Sequence, residues 1–216
     1  MQAYQKTFID FARGREVLQF GDFTLKSGRQ SPYFFNMGLF FNSGAMLQRI
    51  GEFYVEAIKN AHLEFDQLYG PAYKGIPLVS STAIAFQQLL KKDIPFSFNR
   101  KEAKDHGEGG TIVGAKLNGR VLIIDDVMTA GTAVREAIGL VQQAGAIVAG
   151  IVVALDRQEK GAGELSAVQE IAQQYQIPVI SIINLENLIE YMQAADQLDP
   201  HFLARLIAYR ETFASK

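Results

Sequence analysis

The sequence contains no cysteine. Disulfide bonds and thiolate chemistry are therefore excluded, and the composition is compatible with a reducing compartment. The three histidines, His62, His106 and His201, do not have the spacing of metal ligands, which argues against a zinc site. Neither G-x-x-x-x-G-K-[ST] nor G-x-G-x-x-G occurs in the chain. Nucleotide-binding modules of the P-loop and Rossmann types are accordingly disfavoured.

A basic excess and a long apolar run are also absent. The chain has 21 Lys and Arg residues against 23 Asp and Glu residues, a net charge of −2, whereas a general nucleic-acid binder usually carries a basic excess. No apolar run approaches the length of a membrane span. The N-terminal stretch includes Asp10, Arg13, Arg15 and Glu16, so it has no signal-like apolar core. We expect a cytoplasmic protein that binds neither nucleic acid nor a membrane.

The composition that remains is ordinary for a globular protein, with 48% hydrophobic and 20% charged residues in 216. This length is sufficient for one sizeable domain with a large buried core. No internal repeat, low-complexity segment or linker divides the chain.

The most informative stretch runs from Val121 to Ala133 and reads V-L-I-I-D-D-V-M-T-A-G-T-A. Four apolar residues lead into Asp125 and Asp126, and small and hydroxyl residues follow. A helical pattern then begins and stops at Gly145. This order predicts a buried strand, a tight loop and a helix N-terminus, which is where ligands of α/β sheets bind.

The chemistry of this loop favours a phosphorylated sugar. Small residues let backbone N–H groups approach an anion, and the first turn of a helix leaves such donors unpaired. The two carboxylates would repel a phosphate, so they are better suited to sugar hydroxyls, or to Mg²⁺ held through water. Two other interpretations of the stretch alone are a receiver-type or metal-dependent phosphatase site and a well-capped helix start.

Strand and helix patterns alternate along the chain, which predicts an α/β fold with a mostly parallel sheet covered by helices on both faces. Strands are predicted at two places within 21–36 and at 67–69, 95–99, 121–124, 146–155 and 179–183. Helices are predicted over 3–20 with a break at Gly14, after a Ser43 cap, at 76–90, after the central loop, at 166–175 and in most of the rest to Phe213. The charged and glycine-rich stretch 100–110 is predicted to be the least packed.

Polar groups near other strand ends are candidates for the same site. They are Tyr73 and Lys74 in the turn 70–75, the cationic set Arg100, Lys101, Lys104 and His106, and Arg157. Phe34 and Phe35, near Lys26, could form one wall of an aromatic pocket. Taken singly, most of these residues also fit a surface charge or a core aromatic.

Five stretches together resemble the bacterial orotate phosphoribosyltransferases, which belong to the type I phosphoribosyltransferase family. They read T-L-K-S-G-R-Q-S-P-Y-F-F-N from 24, G-P-A-Y-K-G-I-P from 70, F-N-R-K-E-A-K-D-H-G-E-G-G from 98, D-D-V-M-T-A-G-T-A from 125 and L-D-R-Q-E from 155. The resemblance covers nearly the whole chain. Purine phosphoribosyltransferases share the central loop but usually lack the stretch K-E-A-K-D-H. This stretch therefore distinguishes the orotate enzymes from the purine enzymes.

The resemblance implies transfer of ribose 5-phosphate from phosphoribosyl diphosphate to N1 of orotate. Asp125 and Asp126 would hold the ribose hydroxyls. The 5′-phosphate would be bound by Val127, Met128, Thr129, Ala130, Gly131, Thr132 and Ala133. The diphosphate would face Tyr73, Lys74, Arg100, Lys101, Lys104 and His106. Orotate would contact Phe34, Phe35, Thr129 and Arg157, with Lys26 against both substrates. The catalytic set would be Lys26, Lys104, His106, Asp125 and Asp126.

The resemblance also implies Mg²⁺ carried in by phosphoribosyl diphosphate, with few or no direct protein ligands. It implies a homodimer with shared active sites, in which the 100–110 stretch of one subunit covers the other subunit's site and Lys101 acts in trans. The chain would be one domain over 1–216, with a core at about 60–185 and a hood formed by about 1–40 with C-terminal elements. Two alternatives are a phosphoribosyltransferase for another base and a regulator that senses phosphoribosyl diphosphate. The intact cationic stretch, the acidic pI near 5.9 and the lack of an appended DNA-binding segment disfavour the regulator.

Overall fold

A six-stranded sheet organises the chain, and its strands alternate with helices along the sequence. The computed structural model describes residues 1–25, 27–104, 110–128, 131–161, 163–194 and 200–215, with the backbone alone at 103, 104, 110 and 200. Within these residues the strands are β1 (Leu18–Thr24), β2 (Gln30–Phe35), β3 (Gln67–Gly70), β4 (Phe96–Lys104), β5 (Gly110–Gly114), β6 (Arg120–Val127), β7 (Ile147–Asp156) and β8 (Val179–Asn184). The α-helices are α1 (Ala3–Gly14), α2 (Gly44–Asn60), α3 (Gly75–Leu90), α4 (Thr132–Gln143), α5 (Ala167–Tyr175), α6 (Leu185–Ala194) and α7 (Pro200–Phe213).

The strand order of the large sheet is β5-β4-β3-β6-β7-β8. All its pairings are parallel except β4 with β5. From β3 the chain moves outward through β4 to β5, and it then returns to β6 and moves outward the other way through β7 to β8. The carboxyl ends of β3 and β6 therefore border a topological switch point, the place where ligands of open α/β sheets bind.

Side-chain alternation along the central strands divides the core between the two faces of the sheet. Leu122 and Ile124 of β6 pack with α1, α2, α3, α6 and α7. Val121 and Ile123, their neighbours on the same strand, pack with α4 and α5. All four residues are fully buried. Because both faces are covered, β6 is apolar from Val121 to Ile124, as expected for a buried parallel strand.

The strands β1 and β2 form a separate antiparallel sheet. This hairpin contacts the C-terminal helix α7, where Tyr33 and Tyr209 meet edge to face with ring centroids 6.1 Å apart. Its residues Leu18 and Tyr33 belong to the larger of the two core clusters. The hairpin is thus joined to the sheet by apolar packing.

The α/β fold class predicted from the sequence is confirmed, with differences at four places. The helix expected over 3–20 ends at Gly14, and β1 begins at Leu18. The strand expected at 95–99 continues to Lys104. The strand β5 and a short 3-10 helix over Met37–Asn42 were not predicted. No helix in the described ranges is both long enough and apolar enough to cross a bilayer.

Candidate active site

Asp125 and Asp126 lie at the carboxyl end of β6, at the switch point. Asp125 is 9% exposed, and burial together with the charge of Asp126 raises its pKa to about 7. Asp125 Oδ1 accepts a hydrogen bond from the backbone N of Asp126 at 2.9 Å. The buried Tyr54 hydroxyl of α2 donates to the backbone oxygen of Asp125 at 2.6 Å. The acidic pair is therefore held on a fixed backbone, with Asp126 the more accessible of the two.

Lys74 comes to this acidic pair from the turn that follows β3. Its Nζ lies 2.5 Å from Asp126 Oδ2, although the two residues are 52 positions apart in the sequence. The Lys74 side chain is 53% exposed and that of Asp126 is 15% exposed. The sequence analysis assigned Lys74 to the diphosphate and Asp126 to the ribose hydroxyls. The structure brings these two side chains together.

The turn that carries Lys74 is tight because two glycines meet within it. A Cβ atom added at Gly70 would lie 2.2 Å from the backbone oxygen of Gly75, far inside van der Waals contact. The Asn99 side chain of β4 closes the turn from the neighbouring strand, since its Oδ1 accepts from the Ala72 backbone N at 2.9 Å. The peptide bond between Ala72 and Tyr73 is cis.

The loop between β6 and α4 offers backbone donors. Gly131, the residue before α4, has φ +73°, and no side chain caps the helix there. Thr132 and Ala133 are exposed in the first turn of α4. Val127 and Met128 point into the core, so only their backbone can face a ligand. The exposed helix start is a suitable place for a phosphate.

Two of the predicted cationic residues lie beside this group on β4. Lys101 Nζ sits 5.2 Å from the centre of the Tyr73 ring, and Tyr73 is 68% exposed. Arg100, Lys101 and Ala133 of α4 are among the residues that line an open cleft of about 530 Å³. A groove of about 640 Å³ lies elsewhere, around Arg13 and other residues that the sequence analysis did not assign to the site. We place the site where Lys74 meets Asp126, because charged side chains from the ends of β3 and β6 converge there, and the cleft adjoins it through Pro71 and Ala72 of the same turn.

Arg157, at the end of β7, lies among partners from three parts of the chain. Its guanidinium Nε is 2.6 Å from Glu159 Oε1, and its Nη2 donates to the Ser31 and Tyr209 hydroxyls at 3.0 and 3.3 Å. Its guanidinium carbon is 4.2 Å from the centre of the Tyr33 ring. The Arg157 side chain is therefore largely buried and fixed. It is not the surface charge that the residue, taken singly, could also have been.

Phe34 and Phe35 are adjacent on β2, so their side chains point to opposite faces of the hairpin. Phe34 is 37% exposed and stacks on Phe23 with centroids 5.4 Å apart. Phe35 packs against the core, with its ring 6.4 Å from that of Phe8. Of the two side chains, Phe34 is the one that can present a flat face to a ligand.

Several predicted site residues lie outside the described part of the chain. They are Lys26, His106, Thr129 and Ala130, together with the side chain of Lys104. Conversely, the sequence analysis missed Asn99, Ser31, Glu159 and Tyr209, which contact predicted site residues or their turn. Glu159 stood within the quoted motif L-D-R-Q-E, which is the one signal that could have identified it.

Comparison with known proteins agrees with this geometry. A model of the phosphoribosyl transferase domain matches residues 40–176. Orotate phosphoribosyltransferase of Pseudomonas paraeruginosa is 57% identical over 213 residues, and that of Shigella boydii is 55% identical; each match covers 99% of both chains. The crystal structure of orotate phosphoribosyltransferase from Francisella tularensis has a TM-score of 0.88 at 43% identity, covering 97% of this chain and 100% of that chain.

The parallel sheet, the loop after β6 and the matched domain together define a phosphoribosyltransferase. The similarity over the full length of the chain identifies one family within that class. The chain belongs to the family of orotate phosphoribosyltransferases, and the resemblance found in the five sequence motifs is confirmed.

Proposed function

We infer that this chain transfers ribose 5-phosphate from phosphoribosyl diphosphate to N1 of orotate, giving orotidine 5′-monophosphate and diphosphate, a step of pyrimidine biosynthesis. The observation that carries this inference is the 57% identity to an orotate phosphoribosyltransferase over 99% of both chains. The convergence of Lys74 and Asp126 at the switch point supports it, since an activated sugar needs both a cation and a hydrogen-bond acceptor there.

The phosphorylated sugar binds along the loop after β6. Asp125 and Asp126 accept hydrogen bonds from the ribose hydroxyls, and the backbone of 127–133 donates to the 5′-phosphate. The exposed first turn of α4 supports this assignment, because its N–H groups have no side-chain cap and the helix dipole favours an anion.

The diphosphate faces a mainly cationic group of residues, Tyr73, Lys74, Arg100, Lys101, Lys104 and His106. Lys26 lies against both substrates. Support comes from Lys74 and Lys101, which both lie beside Tyr73. Because both substrates are anions, these cations offset their mutual repulsion before any bond changes.

Orotate binds near Arg157, with Phe34, Phe35 and Thr129 around the ring. A guanidinium is suited to a carboxylate because it keeps its positive charge and offers charge-assisted N–H donors. The fixed position of Arg157 supports this assignment. Phe34 contributes an exposed ring face, and Phe35 contributes through its backbone, since its side chain packs into the core.

We propose that Mg²⁺ is carried in by phosphoribosyl diphosphate. The donor set fits a loosely held ion: in the ranges described, no group of three or more acidic or histidine side chains could form a dedicated cage, whereas Asp125 and Asp126 offer carboxylates at one side. Mg²⁺ usually keeps several waters and binds through substrate phosphates with one or two carboxylates. When bound it offsets the negative charge of the diphosphate.

The reaction breaks the bond between ribose C1 and the diphosphate oxygen and forms a bond from C1 to N1 of orotate, whose proton passes to the diphosphate or to water. Positive charge develops on the sugar, which the carboxylates of Asp125 and Asp126 stabilise, and negative charge develops on the leaving group. Lys26, Lys104 and His106 act on the leaving side as cationic donors. Closure of the 100–110 stretch over the cleft excludes water, which would otherwise attack the oxocarbenium-like sugar.

We further propose one domain over 1–216, with a core at about 60–185 and a hood of about 1–40 with C-terminal elements. The contact between the β1–β2 hairpin and α7 supports the hood. The active enzyme is a cytoplasmic homodimer in which the 100–110 stretch, including Lys101, reaches the partner subunit's site. The exposure of Lys101 supports this arrangement.

One assay tests the proposed function. The purified protein is incubated with phosphoribosyl diphosphate, Mg²⁺ and one base at a time, with orotate, uracil, adenine and hypoxanthine in parallel, and diphosphate release is measured. We expect release with orotate alone. Equal release with a purine would indicate a transferase for another base, and binding of phosphoribosyl diphosphate without release for any base would indicate a sensor.

A further inference from the structure

Glu159 connects the predicted base-binding arginine to two other parts of the chain. Its Oε1 accepts from Arg157 Nε at 2.6 Å and from the Tyr209 hydroxyl at 2.6 Å. Its Oε2 accepts from Arg29 Nη1 at 2.7 Å. The Glu159 side chain is only 15% exposed. One carboxylate therefore joins the end of β7 to the hairpin region and to α7.

The contacts of Arg157 leave one edge of its guanidinium for a ligand. Arginine has five N–H donors, one on Nε and two on each terminal nitrogen. Glu159 takes the donor on Nε, and the Ser31 and Tyr209 hydroxyls take the two on Nη2. Within the described residues, Nη1 has no hydrogen-bond partner. The two remaining donors are thus on a single nitrogen, and their direction is set by the other three bonds.

The loop that carries Glu159 is itself held on both sides. Asp156 Oδ1 accepts from the Gln158 backbone N at 2.8 Å, and Gln158 Oε1 accepts from the Glu186 backbone N at the start of α6, at 3.0 Å. Glu159 also forms a β-bridge with Ala214. Such a loop can define the position of Glu159 closely, which a positioning role requires.

We propose that Glu159 is a positioning residue for Arg157, which it orients so that the Nη1 edge receives the base. This inference rests on the proposed function, since it takes Arg157 as the ligand of orotate. Glu159 acts through Arg157 and not by contact with substrate. Tyr209 and Ser31 complete the arrangement by fixing Nη2, and the Tyr33 ring supports the plane of the guanidinium.

The test compares kinetic constants of Glu159→Gln with those of the unmodified enzyme. The substitution keeps the size of the side chain and removes its charge. We expect the KM for orotate to rise about tenfold, as for the loss of one charge-assisted hydrogen bond, while the KM for phosphoribosyl diphosphate changes less than about twofold. Glu164→Gln is the matched control: it makes the same change at an exposed carboxylate that contacts Lys160, and both constants should stay unchanged.

A double-mutant cycle separates positioning from a general structural role. With Arg157→Ala already present, Glu159→Gln should raise the orotate KM by less than about twofold, because its effect passes through Arg157. Equal rises in both KM values, or a full tenfold effect in the Arg157→Ala background, would overturn the proposal. If Glu159→Gln does not fold, Tyr209→Phe removes one hydroxyl from the same network, and a selective rise in the orotate KM is expected there too.

A spectroscopic measurement keeps this inference separate from the proposed function. The Arg157 Nε–H signal in a ¹H–¹⁵N spectrum, assigned with Arg157→Lys, should exchange slowly with water in the unmodified protein and at least about tenfold faster in Glu159→Gln. An unmodified enzyme that does not use orotate would refute the proposed function. An exchange rate unaffected by Glu159→Gln would refute the positioning role, whatever the substrate.

Discussion

Lys74 and Asp126 form an ion pair, with Nζ 2.5 Å from Oδ2, across the switch point of the sheet. The Lys74 side chain is 53% exposed, so solvent screens its side of the pair and weakens the attraction. A diphosphate that carries more negative charge than one carboxylate can therefore draw Lys74 away from Asp126 at little cost. We interpret the pair as the resting arrangement of two groups that serve different parts of the bound sugar.

Replacing Lys74 with methionine should weaken the binding of phosphoribosyl diphosphate. The loss of one charge-assisted hydrogen bond, about 1.5–3 kcal/mol, corresponds to a rise in KM of about tenfold or more. Steady-state kinetics with each substrate varied in turn would measure this. Lys6→Met is a suitable control, since Lys6 pairs with Asp10 on the exposed side of α1. An unchanged KM for phosphoribosyl diphosphate would remove Lys74 from the diphosphate site.

Asp125→Asn should change how stability depends on pH. The native pKa of about 7 lies above the value near 3.9 of an unfolded aspartate, so the native state holds this proton longer. The stabilisation is complete below about pH 4 and is lost as the pH rises towards 7. The variant should therefore match the unmodified protein near pH 4 and exceed its unfolding free energy at pH 8, by on the order of 2–4 kcal/mol.

Urea unfolding at a series of pH values would measure this difference. Asp66→Asn provides a contrast, because the backbone N–H and side chain of Arg120 lower the pKa of Asp66, and the sign of its effect is opposite. If the unmodified protein and Asp125→Asn differ equally at all pH values, Asp125 is not the buried acid described here.

Arg157→Ala should raise the KM for orotate about tenfold to a hundredfold, through loss of charge-assisted hydrogen bonds, and leave the KM for phosphoribosyl diphosphate nearly unchanged. The variant should also lower the melting temperature, because Glu159 then keeps only Arg29 and Tyr209 as partners. Arg49→Ala, which removes a pair within α2, is the control. Equal loss of affinity for both substrates would count against placing Arg157 at the base.

Lys104→Ala should lower kcat much more than it weakens orotate binding. The cationic stretch is expected to act as negative charge develops on the leaving diphosphate, and one charge-assisted hydrogen bond at that stage corresponds to about tenfold or more in rate. Single-turnover kinetics with saturating substrates would measure the effect. Near-normal turnover would refute a catalytic role for Lys104.

Mixing two inactive variants tests the shared active site. Lys101→Ala removes the residue proposed to act in trans, and Asp126→Asn removes one that acts in its own subunit. Random mixing makes half of the dimers mixed, and each mixed dimer has one intact site, so about one quarter of the normal activity should return. Activity no higher than that of the separate variants after subunit exchange would show that each site is formed within one chain.

The central part of the fold could be predicted from the sequence because its signals are local. The apolar residues before Asp125, the small residues after it and the stop at Gly145 located β6 and α4, although β6 continues through Asp125 and Asp126 to Val127, where a loop was expected. The α/β class followed from the alternation of strand and helix, since parallel neighbours require crossover helices.

The elements and contacts that the sequence did not predict depend on residues far apart in the chain. Val17 and Leu18 suit a helix or a strand equally, and the outcome depends on the pairing of Leu18 with Phe35 in β2. The edge strand β5 has glycine at both ends and is formed by pairing with β4, which no local pattern indicates. The same holds in the site, where Lys74 meets Asp126 and Arg157 meets Tyr209 only after the chain has folded.

The contact between Gly70 and Gly75 sets a limit on how this site can change. The position of the Lys74 backbone depends on the close approach of Gly70 to Gly75. A single methyl group at Gly70 would force these two residues apart. Exchanges of the lysine alter the charge offered to the ligand and leave its point of attachment in place. Exchanges of either glycine shift that point of attachment, so we expect homologues with altered ligand preference to vary the charged side chain and retain both glycines.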